Sequence, residues 1–161
     1  MKKTALIVFT MVFAIVSSIQ SSAQKADFNG SWKLDMTKST LPEYTPVLLQ
    51  IDVQIKGDSL LTQRHYDTGD GQVYPFTENL TLDGKDYNIT IYEMPRKSKA
   101  SWAEQSGSLV VESTTTTNGS GDFISKEEWK TNVADKTLII SFKNSIEGQE
   151  STGLFLLNKV E

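Results

Sequence analysis

The chain carries little that is suited to covalent or metal chemistry. Its 161 residues include one histidine and no cysteine, so thiolate nucleophiles and cysteine-containing metal sites are absent from the start. A Ser-His-Asp triad would have to use His65. Strand alternation sets that side chain on the face opposite Arg64 and Tyr66, which reads as a surface histidine. Asp67, Thr68, Gly69, Asp70 and Gly71 have neither the Asp-x-Asp-x-Asp spacing nor the distal glutamate of a calcium loop, and a solvated hairpin loop is expected. Glu127 and Glu128 are adjacent on a strand, point to opposite faces and cannot act together as an acid-base pair. No catalytic residue, metal ligand or cofactor is expected, and the chain reads as non-enzymatic.

Binding chemistry is better supplied. Phe28, Trp32, Tyr66, Phe76, Trp102, Trp129 and Phe142 all take inward positions if the apolar face of each strand is inside. The candidate ligand-lining set is Arg64, Tyr66, Phe76, Ile91, Trp102, Trp129 and Phe142. A lone guanidinium in an aromatic interior can hold a carboxylate or phosphate head group. The alternative is that the aromatics form a dry core, with Arg64 solvated near a mouth. The charge runs 97–99 and 126–128 read as solvated strand faces or loops.

Strands must position these residues. Beyond Gln24 the pattern alternates with period two and shows almost no helical period. The expected strands are 28–34, 49–55, 60–66, 73–82, 87–92, 98–104, 109–117, 123–131, 138–142 and 152–159. In the second, Leu49, Ile51, Val53 and Ile55 share one face. Asp83-Gly84 signals a type I′ hairpin, and Met94-Pro95 is expected to break the chain between strands. Segment 35–46 has capping-box spacing at Thr40 and Glu43, and Pro46 allows it one short helical turn at most; an ordinary crossing loop is expected. Short loops make consecutive strands antiparallel neighbours. The expected fold is all-β, an up-and-down meander barrel of about 8–10 strands, because closing the sheet removes its edges and buries the common apolar face. A two-sheet sandwich is the second choice.

The first 24 residues differ from the rest. Lys2-Lys3 precedes the apolar run 5–16, interrupted only by Thr10, and small and polar residues follow. That is the order of a secretory signal peptide, and the run is short of the ~20 residues that span a membrane. Cleavage is expected near Ala23 or Gln24, which leaves a single domain at 25–161, no stable membrane anchor, and a secreted or periplasmic location. The whole chain has 16 basic and 20 acidic residues and a net charge of −4; without the two lysines of the leader the balance becomes more acidic. A nucleic-acid partner is disfavoured, since a phosphate-binding surface needs an excess of Lys and Arg. Four Asn-x-Ser/Thr sequons, at Asn29, Asn79, Asn88 and Asn118, matter only in a host that glycosylates them.

Phe28-Asn29-Gly30-Ser31-Trp32-Lys33-Leu34, followed by Lys38-Ser39, resembles the opening strand of the lipocalin and fatty-acid-binding-protein superfamily. It is most similar to bacterial exported lipocalin-like proteins. The resemblance implies a calycin-type meander barrel that holds a small apolar molecule, with Trp32 packed across the closed end and Gly30 allowing close backbone approach. The lipocalin pattern also has an arginine near the last strand to pack on the tryptophan, whereas the arginines here are Arg64 and Arg96. Two functional readings follow. The first is an exported binding protein that carries or sequesters an apolar or amphipathic small molecule. The second is an envelope interaction or structural module with a filled barrel, in which no cavity above roughly 300 Å³ is expected.

Overall fold

The computed structural model describes residues 26–43, 45–119 and 121–160; the expected export signal lies outside them. Every regular element among the described residues is a strand: β1 (Gly30–Leu34), β2 (Val47–Lys56), β3 (Ser59–Asp67), β4 (Val73–Thr81), β5 (Tyr87–Ile91), β6 (Met94–Trp102), β7 (Leu109–Thr116), β8 (Asp122–Asn132), β9 (Thr137–Ile146) and β10 (Gln149–Lys159). They form one antiparallel sheet in the order β4-β3-β2-β1-β10-β9-β8-β7-β6-β5. The first and last strands pair, with Trp32 opposite Lys159 and Leu34 opposite Leu157. The meander therefore curls into a nearly closed barrel whose two open edges are β4 and β5.

Alternation fixes what lies inside. Leu60, Thr62 and Arg64 on β3, Glu78 and Leu80 on β4, and Ser125, Glu127 and Trp129 on β8 are buried at every second position. At one end the interior is solid. Phe28 lies 5.9 Å from Trp102 and 6.1 Å from Trp129, centroid to centroid, and Leu109, Leu138 and Leu157 are fully buried in the same core. Trp32 is 2% exposed, and its indole N–H donates to the Phe28 carbonyl at 2.9 Å. Lys159 places its ammonium 5.1 Å from the Trp32 ring centroid, so a lysine on the last strand supplies the cation over this ring. Gly30 sits at φ +126°, and a Cβ there would fall 2.9 Å from Lys159 Cε.

Three local expectations are corrected. In β2 the register shifts between Leu48 and Gln50, so Leu48, not Leu49, joins Ile51 and Val53 in the core. Met94-Pro95 does not break the chain but begins β6. The reversal falls one step earlier, at Tyr92 (φ 47°) and Glu93 (φ 67°), the paired positive values of a tight hairpin turn. Asp83-Gly84 does not close a hairpin, because other elements take its backbone. Gly84 N–H donates to Ala100 O at 2.9 Å, Leu82 N–H donates to Asp58 O at 2.8 Å, and Asp83 bridges to Ser101. Segment 35–46 is a crossing loop, with no helix among its described residues; Thr40 and Leu154 exchange backbone hydrogen bonds of 2.8 and 3.0 Å, which lays the segment along β10. Gly153 permits this, since a Cβ there would meet both Thr40 O and Phe142 Cζ at 2.5 Å.

Candidate functional site

A layer of charge crosses the middle of the barrel. Arg64 on β3 is 1% exposed and donates through both terminal nitrogens to Glu127 on β8, at 2.7 and 2.9 Å. Glu127 also accepts the indole N–H of Trp129 at 2.8 Å, and the Arg64 guanidinium lies over the Trp129 ring at 5.2 Å. A second pair stands beside the first. Arg96 Nε on β6 donates to Glu78 on β4 at 2.9 Å, Ser98 Oγ donates to the same carboxylate at 2.6 Å, and Arg96 Nη1 reaches Thr115 at 3.1 Å. The Phe76 ring lies against both guanidiniums, at 5.9 Å from Arg64 and 5.5 Å from Arg96.

Neighbouring charge outweighs burial in this layer. Burial alone discourages charge on Arg64, yet Glu127, Tyr66 and Glu78 together hold its guanidinium well above the ordinary value. Burial likewise opposes ionisation of Glu78, but Arg96 and Arg64, with hydrogen bonds from Arg96 and Ser98, hold its carboxyl below the usual range. Tyr66 is pushed up, chiefly by burial, and stays a neutral phenol. Two arginines and two glutamates leave the layer with no net charge.

Above this floor the barrel is hollow. A cavity of about 480 Å³ is walled by Tyr66, Tyr74, Phe76, Ile91, Tyr92, Met94, Phe123, Phe142 and Phe155, with Thr68, Arg96, Thr115, Thr117, Ser125, Glu127 and Asn144 among its polar groups. Thr45 and Pro46, from the crossing segment, reach its rim. Tyr66 and Phe76 stack at 5.8 Å with their planes 5° apart. Of the seven lining candidates, Tyr66, Phe76, Ile91 and Phe142 face this cavity. Arg64 and Trp129 do not, because their pairing with Glu127 holds them in the floor. Trp102 is also absent from the wall; it packs on Phe28 at the solid end.

Sequence reasoning missed Glu78, Arg96 and Glu127. Pro95 hid the strand that carries Arg96, and Glu127 was grouped with the solvated charge run 126–128. Parity was the available signal: Glu78 follows Tyr74 and Phe76, and Glu127 precedes Trp129, each at inward spacing.

Side chains bridge the open edges. Besides the Glu78–Arg96 pair, Tyr92 donates its hydroxyl to Pro75 O at 2.6 Å, Tyr74 and Tyr92 meet edge to face at 5.7 Å, and the Thr81 and Tyr87 hydroxyls lie 2.9 Å apart. His65 lies outside, 3.8 Å from Asp52. The carboxylates of loop 67–71 serve the loop itself, Asp67 accepting from Gly69 N–H and Asp70 from Gln72 N–H. Among the described residues, no three His, Asp or Glu side chains are grouped to hold a metal ion. A second depression, of about 620 Å³ over the outer face of β1 to β3, has no aromatic wall.

No family model matches the chain, and no curated protein matches it. A solved structure, the luciferase domain from the dinoflagellate Lingulodinium polyedrum, is similar at 7% identity with a TM-score of 0.48, over 81% of this chain and 42% of that one. The chain thus spans less than half the length of that domain.

Proposed function

We propose that this chain is an exported, non-enzymatic protein that carries or sequesters an apolar or amphipathic small molecule in the open half of its barrel. The observation that carries the reading is the cavity of about 480 Å³, above the roughly 300 Å³ expected as a ceiling for a filled barrel and inside the range of ligand pockets. Its walls are largely aromatic and aliphatic and include a few polar groups, as suits an amphipathic guest. The alternative of a solid interaction module describes only the closed half of the barrel. A lipocalin-like ancestry belongs to the same proposal: a Gly-x-Trp opening strand, a meander nearly closed by pairing of first and last strands, and a cation from the last strand over Trp32 support it. The Lys2-Lys3 and apolar pattern at the N-terminus supports export. Native mass spectrometry of gently purified protein is expected to show an adduct of small-molecule mass and an N-terminus near Ala23 or Gln24. A clean unliganded species, together with no response to apolar fluorescent probes, would contradict the binding reading.

A further inference from the structure

The polar groups of the cavity define the head group of its guest, on the premise that the cavity is a ligand site. We propose that the guest is an uncharged amphiphile whose head bears a hydrogen-bonding N–H or O–H, such as an amide or alcohol, and that carboxylates and amines are disfavoured. Both guanidiniums already pair with a glutamate, although the buried Arg64 Nε has no partner. A carboxylate that took the edge of Arg96 now held by Glu78 would leave that residue, 2% exposed, buried without its partner. The same anion would stand beside Glu127, which lines the cavity, at low dielectric. An ammonium would face the Arg96 guanidinium, while the nearby carboxylates of Glu78 and Glu127 are already paired with Arg96 and Arg64.

Neutral partners are free. Asn144 on β9 lines the cavity, and its Oδ1, now turned into the wall, has no hydrogen-bond partner, so a rotation of the side chain would present an unpaired acceptor to a donor. Tyr66 accepts from Arg64 Nη1 at 3.1 Å and keeps its own hydroxyl proton to give. An acceptor from β9 and a donor from β3 suit a primary amide, or a hydroxyl that uses both.

The test is displacement of N-phenyl-1-naphthylamine, a neutral fluorescent probe, by four ligands sharing one C12 chain: dodecanamide, dodecan-1-ol, dodecanoate and dodecylammonium, each below its micelle concentration. The amide and alcohol are expected to displace the probe at concentrations at least about tenfold lower than either ion. In Asn144→Leu the amide should lose most of that advantage while probe affinity stays within about twofold. Dodecanoate or dodecylammonium matching the amide on the wild-type protein would overturn this proposal and leave the cavity reading standing. Absence of probe binding would overturn both. The wild-type order alone decides the matter should the variant not fold.

Discussion

Arg64 and Glu127 lie 63 residues apart in sequence and meet in the middle of the barrel. Placing a charge there costs several kcal/mol, which the bidentate geometry and the Trp129 hydrogen bond offset. Removing one partner strands the other. Arg64→Leu or Glu127→Leu alone is expected to lower unfolding free energy by about 3–5 kcal/mol, and the double variant by clearly less than the two losses combined. A urea-unfolding double-mutant cycle measures this; strictly additive losses would mean that the two side chains act independently. Arg64 was legible from the sequence as inward-facing, by its parity with Leu60 and Tyr66. Its neutralisation was not, because the partner arrives from five strands further along the chain, and spacing says nothing of such a contact.

At the scale of elements, the strands were legible where alternation was regular, as in β7, expected at 109–117 and found at Leu109–Thr116. They were misread where a distant element took over. Asp83-Gly84 has hairpin composition, yet its backbone is captured by the 57–58 turn and by β6, so β4 and β5 stay apart. The seam between them depends on Glu78. Its folded-state carboxyl is held below the ordinary value, so the stability it contributes is complete above the unfolded glutamate value of about 4.3 and is lost as pH falls below that through the lower folded value. Thermal melts between pH 7 and pH 3 should therefore show a steeper acid loss for wild type than for Glu78→Gln. Equal slopes would remove Glu78 from the acid response. Gly153 is the matching constraint on the other side. Gly153→Val drives a branched side chain into Thr40 O and Phe142, and is expected to cost about 1–3 kcal/mol and to loosen segment 35–46. Chemical denaturation, with amide exchange at Thr40 and Leu154, reads both effects.

The whole molecule divides along the barrel axis into a solid end, a neutral ionic floor and an aromatic hollow. The hydrophobic share of the sequence, 38%, is lean and suits one closed sheet with a single buried face. The division into filled and hollow halves was beyond it, since it depends on where the large side chains end: Trp32, Trp102 and Trp129 fill one end, while Thr115, Ser125 and Asn144 leave room at the other. Ser125 is buried on β8 and faces the hollow, so Ser125→Trp fills it from within. The most direct measurement of ligand binding in the hollow is a fluorescence titration with N-phenyl-1-naphthylamine on wild type and on Ser125→Trp, with far-UV circular dichroism confirming an unchanged fold. Saturable one-to-one binding with blue-shifted emission is expected for wild type, and its loss for the variant. Equal binding by both proteins, or no saturable binding by wild type, would contradict a ligand site in the hollow.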